Sequence, residues 1–134
     1  FTQGEITLNE STNNRTVRTA LVVDDDEAPR HLVCAILKDL GFAFQSFDDG
    51  RAATRAMAHQ KFDLLVSDNQ IGENRAWWGA KVIERARDYH KGIKTILMSS
   101  EEPDYHSADK FLKKPFSIDE LEKTINEWFP PIDS

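Results

Sequence analysis

The strongest constraint on this chain is an alternation of two kinds of segment. Short apolar runs, too short for helices, occur at Thr19-Ala20-Leu21-Val22-Val23, residues 42–47, residues 64–67, Thr95-Ile96-Leu97-Met98 and Phe111-Leu112-Lys113. They read as buried or half-buried strands. The intervening segments carry apolar residues at helical spacing. In the first, Leu32, Val33, Ile36, Leu37 and Leu40 follow Pro29, which suits a first turn, and precede Gly41, a C-cap signal. The second, residues 51–60, is alanine-rich, with Ala52, Ala53, Ala56 and Met57 on its inner face. A third runs to about His90 with Val82, Ile83 and Ala86 inward. In the last, Ser117 and Glu120 form a capping box ahead of a stripe of Ile118, Leu121, Ile125 and Trp128, and Pro130-Pro131 ends it. Strands alternating with helices imply a parallel sheet covered on both faces by right-handed crossovers.

A chain of 134 residues suits one domain. The expected division is a polar leader or linker over 1–17, with a weak candidate strand at residues 6–8, a folded domain over 18–130 and a tail over 131–134. Phe1 is not a natural start, so the chain is expected to be a fragment of a longer product or to carry a non-native leader. The net charge of -6 argues against a nucleic-acid surface and fits an acidic site that needs a cation. Cys34 is the only cysteine, which excludes a disulfide framework and suits a reducing cytosol. No apolar run approaches the ~18 residues of a membrane span, and no membrane contact is expected. His31 and Cys34 lack partners at metal spacing and are read as surface or packing residues.

In a parallel sheet the carboxyl ends of the strands share one edge, where ligands bind. The first strand ends in Asp24-Asp25-Asp26-Glu27, the third in Asp68 and the fourth in Ser99-Ser100, and Lys114 follows the fifth. For any one of these acids a helix cap or turn is the plainer role, and Asp26 and Glu27 are assigned to the start of the first helix. Together, Asp24, Asp25 and Asp68 are clustered carboxylates of the kind that suits Mg²⁺, a hard cation with oxygen ligands. Lys114 would offset remaining charge or hold a phosphoryl oxygen, and the Ser99 hydroxyl another. A carboxylate can itself act as nucleophile in phosphoryl transfer, forming an acyl phosphate.

Leu-Val-Val-Asp24-Asp25, Asp63-Leu-Leu-Val-Ser-Asp68, Ile-Leu-Met-Ser99-Ser100 and Lys114-Pro115-Phe116 resemble, in this order, the receiver domain of two-component response regulators and hybrid histidine kinases, over about residues 19–129. The resemblance implies an α/β, flavodoxin-like (CheY-like) doubly wound sheet of five parallel strands in the order 2-1-3-4-5. It implies that Asp68 is the phosphoacceptor, that Asp25 is a direct Mg²⁺ ligand with Asp24 its acidic neighbour, and that the Gln70 backbone carbonyl completes the metal set. Ser99 matches the switch hydroxyl, Phe111 the switch aromatic and Lys114 the site lysine, with a Lys114-Pro115 bond that is usually cis. The implied partners are a histidine kinase or histidine phosphotransfer protein and a downstream protein or output domain, in the cytoplasm. Homodimerisation is left open.

The chain departs from the family pattern in three places. Ile71-Gly72 stands where Met-Pro is usual. The loop from Asp68 to Gly79 looks long and carries Trp77-Trp78; one tryptophan is expected to start the next helix and pack inward, the other to be a partner contact or a lid. The interval from Ser99 to Lys114 is short, so the family's fourth helix is expected to be truncated or missing, with Pro103 able to start one or two turns at most. Two other readings stay open. One is a pseudo-receiver that binds partners without phosphorylation. The other is a phosphatase of the haloacid dehalogenase kind, with Asp24 as nucleophile and Asp26 as acid.

Overall fold

In a computed structural model of the chain, residues 17–131 are described. Residues 1–16 and 132–134, and with them the candidate strand at 6–8, nearly all of the leader and most of the tail, lie outside the described residues. The strands are β1 (Thr19–Val23), β2 (Ala43–Phe47), β3 (Leu64–Asp68), β4 (Lys94–Ser99) and β5 (Lys110–Lys113). The helices are α1 (Glu27–Asp39), α2 (Gly50–His59), α3 (Gly79–Tyr89) and α4 (Ile118–Trp128), with a 3₁₀ turn at Arg75–Trp77. All strand pairs are parallel and the order is β2-β1-β3-β4-β5.

The inner strands β1, β3 and β4 are mainly apolar and almost wholly buried because both of their faces are covered. Alternate residues feed two cores. Ala20, Val22, Leu64, Val66, Ile96 and Met98 meet Val33, Ile36 and Leu37 of α1 and Leu121 and Ile125 of α4. Leu21, Val23, Leu65 and Leu97 meet Ala53 and Met57 of α2 and Val82, Ile83 and Ala86 of α3. The helix ends are fixed locally. Asp49 accepts a hydrogen bond from the Arg51 amide at the start of α2, and Ser117 and Glu120 form the capping box of α4. Gly41, just beyond α1, takes the left-handed conformation at φ 90° that a Cβ would disfavour.

Two residues assigned to inner stripes are exposed: Leu32 at 45% and Ile118 at 49%. Leu32 is one position ahead of the buried Val33–Ile36–Leu37 face, and Ile118 is the first residue of α4, a turn ahead of buried Leu121. Between β4 and β5 there is no helix among the described residues; residues 100–109 are bends and irregular chain, and Pro103 starts no turn.

That segment is tied down by polar bonds instead. The Arg87 guanidinium of α3 donates to the Ser107 carbonyl from Nη2 at 2.6 Å and from Nε at 3.1 Å. It also reaches Thr95 Oγ1 and the Asp109 carboxylate, each at 3.2 Å. Asp109 in turn accepts the Thr95 amide at 2.8 Å. Ala108 and Phe111 then pack on the Leu97 side of the sheet beside α3.

Candidate phosphoacceptor site

Strand register gathers the site. Val23 pairs with Ser67, Asp68 with Met98 and Ser99 with Lys113. Asp24 and Asp68 are therefore level along the strand axis, with Ser99 one residue and Lys114 two residues further on. The cleft they form is lined by Asp24, Asp25, Asp26, Asp68, Gln70, Gly72, Trp78, Ser99, Ser100 and Lys114. Phe111 is not among these residues. It lies half-buried on β5, packed against the core that contains Leu97, its ring 6.0 Å from that of His106.

The charges are unevenly matched. One carboxylate oxygen from each of Asp24, Asp25 and Asp68 lies within 4.8 Å of the others. Among the described residues a single ammonium faces them: Lys114 Nζ stands 2.7 Å from Asp68 Oδ1 and 3.3 Å from Asp24 Oδ2. Burial pushes the Asp68 carboxyl above the usual carboxylate range; Lys114 works against this, while Asp24 and Asp25 add to it. Burial also opposes the charged form of Lys114, but the Asp68 carboxylate beside it, then Asp24, outweigh that and hold the ammonium above its ordinary value. Both partners shift upward, Asp68 chiefly through burial and Lys114 through its carboxylate neighbours. The lysine is strongly held, and the carboxylates remain short of positive charge.

Backbone groups orient the acids. Asp24 is 1% exposed, and its Oδ1 accepts the Asp26 amide at 3.0 Å. The Arg30 guanidinium donates to the Asp24 carbonyl at 2.9 Å. Asp26 occupies the N-cap position of α1 but makes no side-chain cap bond. Asp25 is exposed, and its Oδ2 accepts the Gly72 amide at 3.0 Å. Gly72 has φ 69°, so neither a proline nor an unstrained side chain could supply that N–H from this position. Ser99 Oγ is 3.4 Å from the Glu101 amide, and the Lys114-Pro115 peptide is cis.

Two contributors carried no local sequence signal. Asn69 is buried at 8%; its Oδ1 accepts the Ala80 amide and its carbonyl the Gly79 amide, so it caps α3 from the end of β3. Gly79 lets α3 approach that strand, since a Cβ there would lie 2.2 Å from the Asp68 carbonyl oxygen. Of the two loop tryptophans singled out in the sequence, Trp78 is the one at the cleft, half-buried, and its indole N–H donates to the Gly72 carbonyl at 3.3 Å. Trp77 is also half-buried but does not line the cleft; it lies over Gly50 between the Arg51 and Arg85 guanidinium groups. His31 is on the surface near Glu27 and Cys34 is buried in the α1 core.

The model of the response regulator receiver domain matches residues 20–126, and the chain belongs to that family. Among curated proteins it is similar to the probable transcriptional regulatory protein TcrX of Mycobacterium tuberculosis, 26% identical over 110 residues, 77% of this chain and 46% of that protein. It is also similar to the DNA-binding transcriptional regulator NtrC of Azospirillum brasilense, 27% identical over 84% of this chain and 25% of that protein. The chain thus spans half or less of the length of these relatives. Among solved structures, the chemotaxis protein CheY4 of Vibrio cholerae superposes with a TM-score of 0.73 at 24% identity, over 84% of this chain and 98% of that one. The receiver domain of the sensor histidine kinase PA1611 of Pseudomonas aeruginosa, with a magnesium ion in its active-site cleft, superposes with a TM-score of 0.72 at 20% identity and the same coverage. The fold is the flavodoxin-like, CheY-like one, lacking the helix between the fourth and fifth strands.

Proposed function

We propose that this chain is a phosphoacceptor domain in a two-component phosphorelay. The observation that carries the reading is Asp68 at the end of β3, with the Lys114 ammonium at 2.7 Å and the Asp24 and Asp25 carboxylates around it. The Asp68 carboxylate attacks phosphorus of a phosphohistidine on a partner kinase or phosphotransfer protein. The new bond is O–P, the P–N bond breaks, and the imidazole leaves with its electron pair. Lys114 holds a phosphoryl oxygen as charge shifts onto it, and the Ser99 hydroxyl can donate to another.

The donor set suits Mg²⁺: three oxygen-bearing acids served by one ammonium, and a burial-raised Asp68, describe a site short of positive charge. Asp24, Asp25, Asp68 and the Gln70 carbonyl would hold the ion. When bound, it would neutralise the carboxylates and charge on the phosphoryl group. The resulting acyl phosphate would bias the Ser99 and Phe111 region between two states and so change the binding of an output domain or downstream protein. A cytoplasmic setting fits this chemistry, and no helix among the described residues is long and apolar enough to cross a membrane.

The lack of a helix between β4 and β5 favours one second reading, a receiver fold that binds partners without being phosphorylated. Intact-mass analysis after incubation with Mg²⁺ and a small phosphodonor separates the two. The expected result is one phosphoryl group on the wild type and none on Asp68→Asn. An unmodified wild type would favour the phosphorylation-independent module; equal labelling of both would remove Asp68 from its assigned role.

A further inference from the structure

The proposed metal ligand Asp25 is exposed, and an exposed aspartate with nothing to fix it samples several rotamers. Here it is fixed by a chain of two hydrogen bonds that begins outside the acidic cluster. The Trp78 indole N–H donates to the Gly72 carbonyl at 3.3 Å, and the Gly72 amide donates to Asp25 Oδ2 at 3.0 Å. Both bonds meet in one residue, whose left-handed φ of 69° turns the loop back toward the cleft. The loop is anchored on each side. Ile71 is 4% exposed in the α2–α3 core, and Trp78 packs under the Arg75 guanidinium, 5.0 Å from the ring centroid, immediately before α3. One oxygen of the Asp25 carboxylate lies within 4.8 Å of an oxygen of Asp24 and one of Asp68.

We propose that Trp78 is a positioning residue for the Asp25 carboxylate: acting through Gly72, it fixes the rotamer in which Asp25 faces the cation, and so raises the affinity of the cleft for Mg²⁺. This rests on the reading of the cleft as a Mg²⁺ site. Groups behind a metal ligand reduce the freedom that ligand must lose on coordination, and their removal weakens metal binding. By reciprocity, the cation must tighten the loop that favours it. Trp78 touches neither the phosphoryl group nor the ion in this account, and its ring is needed only to present the N–H.

The test uses Trp78→Phe, which keeps an aromatic ring and removes the donor, with Asp25→Ala as the control for the site. Mg²⁺ affinity is measured by calorimetry without phosphodonor, and fold stability by urea unfolding without Mg²⁺. Trp78→Phe is expected to weaken Mg²⁺ binding about three- to tenfold, the lower end of what outer-shell partners contribute, with a near-wild-type urea midpoint. A second measurement needs no variant: saturating Mg²⁺ is expected to slow hydrogen exchange at the Gly72 amide and Trp78 indole of the wild type. Wild-type protein that binds Mg²⁺, loses it in Asp25→Ala, but shows unchanged affinity in Trp78→Phe and unchanged exchange at both groups overturns this inference alone. Wild-type protein that binds no Mg²⁺ overturns the metal-site reading, and this inference with it.

Discussion

At the scale of single residues, the central fact is that Lys114 is the one ammonium among three acids in the described residues, and Asp68 is the acid whose burial it only partly offsets. With its folded pKa above the unfolded one, Asp68 binds a proton more readily in the native state. Its contribution to stability is complete below the unfolded pKa and is lost as pH rises through the folded value. At neutral pH and without a divalent cation, the ionised carboxylate is a net cost. Asp68→Asn, neutral and of the same shape, is therefore expected to raise the urea midpoint of the cation-free chain at pH 7, with the difference vanishing toward pH 3. A midpoint lower than wild type at pH 7 would mean that the Lys114 bond outweighs the burial of the charge.

At the scale of elements, two junctions set the site. Helix α3 starts against the end of β3 because residue 79 has no side chain there. Gly79→Ala would drive a methyl group into the Asp68 carbonyl oxygen, which is backbone and cannot rotate aside. The expected loss is about 1–3 kcal/mol by chemical denaturation, the range for forcing volume into a packed contact. A loss below about 0.5 kcal/mol, an ordinary surface effect, would show that the strand end yields. The other junction is the segment from β4 to β5, held by Arg87, Thr95 and Asp109. Burial tends to raise the Asp109 carboxyl, but the Thr95 amide and the Arg87 guanidinium outweigh it and hold its pKa below the ordinary carboxylate value. Its stabilisation is thus present above the unfolded pKa and lost as pH falls through the folded one. Asp109→Asn is expected to cost about 1 kcal/mol at pH 7, with the gap to wild type closing below about pH 4, where ordinary carboxylates take up protons. A gap independent of pH would show that the carboxylate charge is not what holds the segment.

At the scale of the whole molecule, both sheet faces are covered although one helix is missing. Helices α1 and α4 close one face; α2, α3 and the Ala108–Phe111 end of the β4–β5 segment close the other. The carboxylate cleft sits on the sheet edge between these layers, so a cation bound there ties β1 to β3 and adds to global stability by mass action. Mg²⁺ at a hundred times its dissociation constant is expected to stabilise the wild type by about 2.7 kcal/mol, to leave Asp25→Ala unmoved, and to be reversed by a chelator. Thermal melts read this directly, and a wild-type midpoint indifferent to Mg²⁺ would sink the metal-site reading. Tryptophan fluorescence gives a second readout, since Trp78 lines the cleft while Trp77 lies over Gly50.

Periodicity and punctuation alone determine much of this protein. Five apolar runs too short for helices, separated by amphipathic segments with Gly41 and the Ser117 box at their ends, admit a parallel α/β sheet and little else, because hydrophobic spacing and caps are local properties. The strand-end acids, Ser99 and Lys114 were legible for the same reason: parallel strands bring equivalent ends to one edge. The tertiary structure decided which apolar positions are covered, and left Leu32 and Ile118 in solvent. It also decided what orients the acids. The Gly72 amide on Asp25, the Trp78 indole on Gly72 and the Asn69 cap on α3 are set by where a loop folds back across the sheet edge, and no spacing in the chain encodes that distance.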